Sequence, residues 1–307
     1  MSYISVVAPI FNESELINEF AKQVTIELEK INPDYELIFV DDGSTDNSWE
    51  IIKELVSKES RILGIKFSKN FGHHYAITAG LNNSNGEWTI VMDSDLQDRP
   101  QVIPKLIDKA LEGYDVVFVS RVDRPESLVY KVAQKIFYST LNLLSGLKLD
   151  STQANFSILN RKVVQAFNQF PEQARFYGST VKWLGFKRTS IKAQHGIRYG
   201  GSPSYTFKKR LTLASDIILS FSDRPLKFAI GLGTGISTLS VLVGGWILLR
   251  SIIGNYAVQG WSSLIVTIFF STGVILIILG INGIYLSKIF NEVKRRPLYI
   301  IESIFKG

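Results

Sequence analysis

Two short acidic segments contain the side chains best suited to chemistry. Asp93, Asp95 and Gln97 alternate in one segment, and Asp41 and Asp42 are adjacent in the other. Carboxylate and amide oxygens suit a hard divalent cation, because Mg²⁺ is held by one or two carboxylates while substrate phosphates supply further ligands. The spacing therefore predicts a Mg²⁺ or Mn²⁺ site that binds a phosphorylated substrate. A nuclease or a phosphatase could use the same carboxylates.

The elements that position these side chains lie in the first 120 residues. Short runs rich in β-branched and apolar residues predict strands at 4–8, 36–40, 62–67, 88–92 and 116–120. Helical stretches such as 15–30 and 48–57 lie between the runs, and this alternation predicts an α/β fold with a mostly parallel sheet. Ligands of open parallel sheets bind beyond the carboxyl ends of the strands. We therefore expect both acidic segments, and Arg121 after the fifth run, at one edge of the sheet.

Composition excludes several classes of site. The chain has 307 residues, no cysteine and three histidines. The absence of cysteine excludes disulfide scaffolds, cysteine-ligated zinc, iron–sulfur clusters and thiol nucleophiles. The net charge of +6 conceals a division, because residues 1–120 carry 10 Lys/Arg against 20 Asp/Glu and residues 121–307 carry 24 against 8. This division predicts a cation site in the acidic part and anionic partners for the basic part.

Two uncharged apolar runs predict transmembrane helices. Residues 228–249 and 261–286 contain 22 and 26 residues without a charge, and about 20 apolar residues cross a bilayer as a helix. Basic residues precede the first run and follow the second, so the positive-inside rule places both ends in the cytoplasm. The residues after Met1 lack the basic and apolar regions of a signal peptide, and we expect the front half to remain cytoplasmic.

These patterns predict four consecutive parts of the chain. Residues 1–205 form a cytoplasmic catalytic domain, and residues 206–227 form an amphipathic juxtamembrane helix. Residues 228–286 form two transmembrane helices joined by a short outward loop, and residues 287–307 form a basic cytoplasmic tail.

Taken together, the motifs resemble family 2 glycosyltransferases. Within that family they resemble the polyprenyl-phosphate sugar transferases, which include dolichyl-phosphate mannose synthase and the bactoprenol glucosyltransferases. Residues 9–13 look like the family's Pro-x-x-Asn-Glu, residues 40–46 like Val-Asp-Asp-Gly-Ser-x-Asp, and residues 93–97 like Asp-x-Asp-Leu-Gln. The resemblance implies a GT-A fold, which is a Rossmann-like nucleotide-sugar transferase domain. It further implies two C-terminal transmembrane helices in a bacterial inner membrane.

The resemblance implies ligands for the donor. The residues placed at the nucleotide and its phosphates are Pro9, Glu13, Asp41, Asp42, Asp93 and Ser202. The residues placed at the metal, Mg²⁺ or Mn²⁺, are Asp93, Asp95 and Gln97.

The resemblance also implies catalytic residues. Asp95 would hold the metal, Arg121 and Arg198 would face phosphate, and Asp150 would act as a base or a positioning residue. Two departures from the family pattern affect these assignments. Asn155 stands where the family has glycine, and the segment after Arg198 lacks the family's Glu and Lys.

The implied reaction is inverting transfer of a hexose, for example from UDP-glucose, to undecaprenyl phosphate at the inner leaflet, as in the synthesis of cell-envelope polysaccharides. Its partners would be a nucleotide sugar, polyprenyl phosphate, membrane lipids, a flippase and further copies of the chain. Nucleic acid is not expected, because the transmembrane runs account for the basic charge.

Two other functions are weighed against this one. A processive polysaccharide synthase would carry a Gln-x-x-Arg-Trp motif and more transmembrane helices, which this sequence lacks. A non-enzymatic membrane adaptor would be built on a decayed transferase domain. The presence of Asp93, Asp95, Gln97 and Arg121 argues against decay.

Overall fold

The structure is a computed structural model. It describes residues 4–122, 136–137, 139–144, 153–173, 175–194, 218, 222–254 and 260–307. The chain divides into two compact units. The first comprises residues 1–139, 147–206 and 296–307, and the second comprises residues 140–146 and 207–295.

The first unit is organised around a mixed sheet. Its strands are β1 (Ile4–Ile10), β2 (Tyr35–Asp41), β3 (Ile62–Phe67), β4 (Trp88–Val91), β5 (Val116–Val122), β6 (Gln153–Asn160), β7 (Arg188–Gln194) and β8 (Ile301–Lys306). Among the described residues their order is β7-β5-β6-β4-β1-β2-β3-β8. Strand β1 pairs in parallel with β2 and β4, β2 pairs in parallel with β3, and β5 pairs in parallel with β7. Strand β6 lies antiparallel between β4 and β5, and β8 is antiparallel to β3.

Helices cover both faces of this sheet. They are α1 (Ile17–Glu29), α2 (Ser48–Lys58), α3 (His73–Asn83), α4 (Ile103–Leu111), α5 (Arg161–Asn168) and α6 (Tyr177–Trp183). Successive side chains of a strand point to opposite faces. Val6 accordingly packs in the core beneath α1, α2 and α4, whereas Val7 packs in the core beneath α3, α5 and α6. The central strands are buried on both faces, which explains their continuous apolar sequence.

The structure confirms the predicted α/β fold with a mostly parallel sheet. Each of the five predicted strands overlaps an observed strand, β1 to β5, and the helical stretches 15–30 and 48–57 correspond to α1 and α2. The antiparallel strand β6 was not predicted, and neither were β7 and β8. These strands depend on pairing with distant segments, which local apolar runs do not reveal.

The C-terminal segment differs from the predicted basic tail of residues 287–307. Residues up to Lys294 continue a helix, and Ile301–Lys306 form strand β8 at the edge of the sheet. The Tyr299 ring stacks on Phe67 with centroids 4.9 Å apart, and the Tyr299 hydroxyl accepts a hydrogen bond from Asn82 Nδ2 at 2.8 Å. Lys66 of β3 pairs with Glu302 of β8 at 3.2 Å. The end of the chain is therefore part of the first unit.

The second unit contains two long apolar helices, α7 (Arg224–Gly254) and α8 (Trp261–Lys294). Phe228 and Leu239 of α7 and Phe269 of α8 are well exposed. Within the described residues, one segment is long and apolar enough to cross a bilayer, Thr267–Lys294, and none of its most apolar stretch is buried. The second of the two predicted transmembrane runs thus has structural support, and the first remains a prediction.

Two parts of the predicted organisation fall outside the described residues. They are residues 206–217 and 219–221 of the expected juxtamembrane helix, and the loop residues 255–259.

Candidate active site

The loops that follow β1 and β2 are joined by hydrogen bonds. The Asn12 backbone N–H donates to Ser44 Oγ at 2.9 Å, and the Thr45 N–H donates to Asn12 Oδ1 at 2.8 Å. The Glu13 N–H donates to Ser48 Oγ at 3.0 Å. These loops lie at the carboxyl ends of adjacent parallel strands, where ligands of open sheets bind. The two predicted nucleotide-binding segments, 9–13 and 41–46, therefore form one continuous wall.

Asp41 and Asp42 serve different purposes in this wall. Asp41 is buried, its Oδ1 accepts the Ser44 N–H at 3.0 Å, and its Oδ2 is buried without a hydrogen-bond partner among the described residues. Burial raises the pKa of Asp41. A buried oxygen without a donor is costly, so a ligand N–H or O–H would be favourable there.

The Asp42 carboxylate faces the start of α3. It accepts the Phe71 N–H at 2.7 Å and the Gly72 N–H at 2.9 Å, and it is 3% exposed. Both oxygens already have backbone donors. The structure thus gives Asp42 a structural contact, and its role in nucleotide binding remains only a prediction.

The Asp95 carboxylate is held by a tight turn. Its Oδ1 accepts the Gln97 N–H at 3.0 Å, and the intervening Leu96 has a φ of 58°, which lies in the left-handed region. The Leu96 side chain is buried, which anchors the turn. Burial raises the pKa of Asp95, and repulsion from Asp93 adds to the shift. A bound cation would relieve both effects.

Asp93 faces a histidine across the site. Its Oδ1 lies 3.3 Å from His73 Nε2, although no well-aligned hydrogen bond joins the two atoms among the described residues. Burial opposes ionisation of Asp93, but His73 and Arg121 outweigh it and hold the pKa of Asp93 below its usual value. Asp93 Oδ1 therefore faces the imidazole, and the carboxylate as a whole is partly exposed.

The donor set fits a divalent cation that also takes ligands from a substrate. In the part of the chain that the structure describes, no group of three or more His, Asp or Glu side chains is arranged to hold a metal alone. Asp93 and Asp95 both follow β4, and burial together with the charge of Asp93 raises the pKa of Asp95. Mg²⁺ commonly keeps one or two carboxylates and completes its coordination with water and phosphates. Asp93 and Asp95 are compatible with such a cation, and the metal set Asp93, Asp95 and Gln97 remains a prediction.

Arg121 is held in place by an aspartate that the sequence analysis did not single out. Its Nη2 lies 3.1 Å from Oδ2 of Asp98, and the Asp98 side chain is 3% exposed. The Arg121 Nε is buried and has no partner among the described residues. A guanidinium with a donor still available can bind phosphate. The acidic segment 93–98 thus contains the three predicted metal ligands. It also contains Asp98, which holds Arg121, the predicted phosphate-binding arginine.

Glu13 joins the loop after β1 to the acidic segment. The Ser94 hydroxyl donates to the Pro9 carbonyl at 3.1 Å and also contacts the Glu13 carboxyl. A hydrogen bond from Ser94 favours the ionised carboxylate of Glu13, but burial outweighs it. Burial raises the pKa of Glu13 to about 7, and the charges of Asp95 and Asp93 contribute to the shift.

This raised pKa predicts a stability that depends on pH. The folded pKa of Glu13 is about 7, above its ordinary value of 4.5. Stability from the protonated group is therefore complete below pH 4.5 and is lost as the pH rises through 7. We expect Glu13→Gln, which stays neutral, to raise the melting temperature at pH 8 but not at pH 5, measured by intrinsic fluorescence without added metal. An equal change at both pH values would contradict the assignment.

Several predicted residues cannot be placed. Asp150, Arg198 and Ser202 lie outside the described residues, so their roles remain predictions. His73 and Asn155 lie close to Asp93 or to each other, although neither was predicted as a catalytic, nucleotide-binding or metal-binding residue. The only signal in the sequence was the position of His73 directly after Gly72 at the start of a helix.

The chain is similar in sequence to known proteins over most of its length. Residues 5–167 match the profile of glycosyl transferase family 2. An uncharacterized glycosyltransferase of Bacillus subtilis is 36% identical over 302 residues, which cover 98% of this chain and 94% of that protein. The SfII prophage-derived bactoprenol glucosyl transferase of Shigella flexneri is 34% identical over 306 residues, which cover 99% of each chain.

A solved structure has a similar fold over most of the chain. It is glucosyl-3-phosphoglycerate synthase from Mycobacterium tuberculosis, solved in complex with Mn²⁺, uridine diphosphate and phosphoglyceric acid. Its TM-score is 0.52 at 19% sequence identity, and the match covers 71% of this chain and 76% of that chain. At this identity the likeness concerns the fold alone.

Proposed function

The chain belongs to glycosyl transferase family 2 and is a glycosyltransferase with a GT-A-like fold, and from this premise we propose that it transfers a hexose from a nucleotide diphosphate sugar to polyprenyl phosphate. The observation that carries the proposal is the similarity to bactoprenol glucosyl transferases, which extends over 99% of the chain and includes its apolar C-terminal part. An acceptor with a long apolar tail agrees with the exposed apolar surface of α7 and α8.

The reaction requires one bond to form and one to break. An oxygen of the acceptor phosphate attacks the anomeric carbon of the sugar, and the bond from that carbon to the diphosphate oxygen breaks. The nucleoside diphosphate leaves with the electron pair, and attack from the opposite side inverts the configuration. The acceptor phosphate is already ionised at neutral pH, so the step does not require a general base. Asp150 is thus proposed as a positioning residue or a base.

Different residues are proposed to hold the metal and to contact the phosphate groups. Asp93, Asp95 and Gln97 are the residues that would hold Mg²⁺ or Mn²⁺, which when bound neutralises charge on the leaving diphosphate. Arg121, fixed by Asp98, has a guanidinium suited to a phosphate group. Outside the described residues, we propose that Arg198 and Ser202 also contact phosphate.

Different observations support the proposed position of the nucleotide and the proposed identity of the sugar. We propose that Pro9, Glu13 and Asp41 border the base and ribose, because the unpartnered Asp41 Oδ2 lies in the wall formed by the first two loops. UDP-glucose is the donor that we propose, because the full-length relatives are named as glucosyl transferases. The solved Mycobacterium tuberculosis synthase was crystallised with uridine diphosphate and Mn²⁺, although its likeness to this chain is one of fold.

The proposed setting is the bacterial inner membrane. The first unit would lie in the cytoplasm, and two transmembrane helices, with their short loop facing outward, would hold it at the inner leaflet where the lipid phosphate is found. We also propose that an amphipathic segment within 206–227 lies along the membrane. Two helices are too few to form a wide pore. A separate flippase would therefore move the product across, and further copies of the chain would assemble through the apolar helices.

Sugar transfer to undecaprenyl phosphate tests this proposal directly. Purified full-length protein would be incubated with Mg²⁺ or Mn²⁺ and each of a panel of labelled UDP- and GDP-sugars, and the products would be extracted into organic solvent. We expect label in the organic phase from UDP-glucose, and we expect EDTA to abolish it because the diphosphate then loses its cation.

The other outcomes separate the alternatives. Label that grows into a water-soluble polymer would indicate a processive synthase. An absence of transfer and of nucleotide binding by folded protein, tested with every donor, would indicate an adaptor. Either result would overturn the proposed function.

A further inference from the structure

His73, at the start of α3, lies close to one side chain from the segment after β4 and one from β6. His73 Nε2 is 3.3 Å from Oδ1 of Asp93, at the end of β4, and 3.1 Å from Nδ2 of Asn155, in the neighbouring strand β6. The His73 side chain is 37% exposed and the Asp93 side chain 24% exposed. Both side chains are therefore partly exposed.

The backbone around His73 is fixed independently of its side chain. The Phe71 and Gly72 amides that precede it are held by Asp42. Gly72 has a φ of 119°, which a residue with a side chain rarely adopts. The imidazole thus extends from a rigid helix start toward Asp93, and its approach is set by the fold.

The contacts of Nε2 indicate what the imidazole does. A carboxylate oxygen can only accept a hydrogen bond, so Nε2 must carry a proton to bond Asp93. The Asn155 amide can present either its nitrogen or its oxygen, because the two ends are assigned from the surrounding hydrogen bonds. With its oxygen toward Nε2, Asn155 shares the single Nε2 proton with Asp93, because one ring nitrogen carries only one hydrogen. His73 can then link Asp93 to Asn155 of β6 through its Nε2–H group.

We propose that His73, supported by Asn155, is a positioning residue that orients the Asp93 carboxylate toward the divalent cation and the donor diphosphate. This inference rests on the proposed function, because it assumes a metal-bound nucleotide sugar at Asp93 and Asp95. Residues that orient metal ligands through hydrogen bonds typically affect metal affinity by about 10–100-fold. His73 acts through Asp93 and would not itself contact the cation.

Mn²⁺ binding provides a readout that is separate from catalysis. Full-length protein in detergent would be titrated into Mn²⁺ with saturating UDP, and separately with GDP, while electron paramagnetic resonance follows the free ion. We expect His73→Phe, which keeps an aromatic ring but has no ring nitrogen, to weaken Mn²⁺ binding by about 10-fold or more. His73→Gln places an amide donor near the position of Nε2 and should restore most of the affinity.

Further variants test the specificity of the effect. His74→Phe makes the same substitution at the adjacent histidine, whose ring packs on Phe176, and should leave Mn²⁺ affinity unchanged. Asn155→Ala should weaken binding, and the double variant His73→Phe/Asn155→Ala should bind no more weakly than His73→Phe alone, because both changes remove one linked contact. Melting temperatures of all variants would show that each one is folded.

The outcomes are distinguishable. Wild-type affinity in folded His73→Phe would overturn the inference and leave the proposed function standing. Equal losses in His73→Phe and His73→Gln would also overturn it, because a donor at Nε2 would then not matter. No Mn²⁺ binding by wild-type protein with either nucleotide would overturn the proposed function together with this inference.

Discussion

Asp95→Asn is expected to lower the rate of sugar transfer by about 1,000-fold or more, because charge neutralisation by a bound metal is worth several kcal/mol in the transition state. The substitution keeps the shape of the side chain, and the asparagine Oδ1 can still accept the Gln97 N–H that Asp95 accepts at 3.0 Å. The turn around Leu96 should therefore survive. Initial rates of product formation at saturating donor and metal would measure the effect.

The same substitution should not destabilise the protein in the absence of metal. Burial and repulsion from Asp93 raise the pKa of Asp95, so its negative charge opposes folding at neutral pH. We expect metal-free Asp95→Asn at pH 7 to melt at the wild-type temperature or slightly above it. Loss of activity with stability retained would identify Asp95 as a functional residue.

A second aspartate supplies the control for this experiment. Asp108 lies exposed on α4, and Asp108→Asn makes the same chemical change far from the acidic segment. It should change neither the transfer rate nor the melting temperature appreciably. Folded Asp95→Asn with full metal-dependent transfer would show that another residue holds the cation.

Gly43→Ala should disrupt the loop after β2. Gly43 has a φ of 69°, and a Cβ there would lie 2.3 Å from the carbonyl carbon of Lys69 and 2.6 Å from the nitrogen of Asn70. Both are backbone atoms of the loop that leads to α3, so no flexible side chain can move aside. We expect roughly 1–2 kcal/mol from the left-handed conformation and a further roughly 1–3 kcal/mol from the clash.

The control for this change is a glycine with the same backbone conformation and more space. Gly113 has a φ of 91°, and its nearest atom is the Lys187 Nζ, 3.8 Å from the position of a Cβ. Gly113→Ala should therefore cost only the conformational part. Thermal unfolding would compare the two variants, and UDP binding should be lost in Gly43→Ala alone. Equal effects in both variants would show that the contact between the loops after β2 and β3 is not required.

The sequence by itself determined the fold class, whereas the site residues that it indicated remain predictions. Runs of buried apolar residues define β1 to β5, because a parallel sheet covered on both faces requires continuous apolar strands. The acidic segments that follow β2 and β4 then lie at one edge of the sheet, since the carboxyl ends of parallel strands meet there. Two apolar C-terminal runs were also evident, because the length needed to cross a bilayer is a local property. Among the described residues one segment, Thr267–Lys294, is long and apolar enough to do so, and the first run remains a prediction.

The use of each carboxylate could not be determined from local spacing. Asp41 and Asp42 are neighbours with the same side chain, yet Asp42 holds the start of α3 while Asp41 Oδ2 has no hydrogen-bond partner among the described residues. This difference depends on the loop after β3, because backbone amides of that loop donate to Asp42. That is a property of the folded chain.

Long-range pairing likewise required the tertiary structure. His73 and Asn155 are 82 positions apart and meet only because β6 inserts antiparallel beside β4. The C-terminal residues have the composition of a basic tail, but Ile301–Lys306 complete the sheet beside β3. Side-chain patterns reveal which residues are to be buried, whereas the register and order of strands are decided by contacts between segments far apart in the chain.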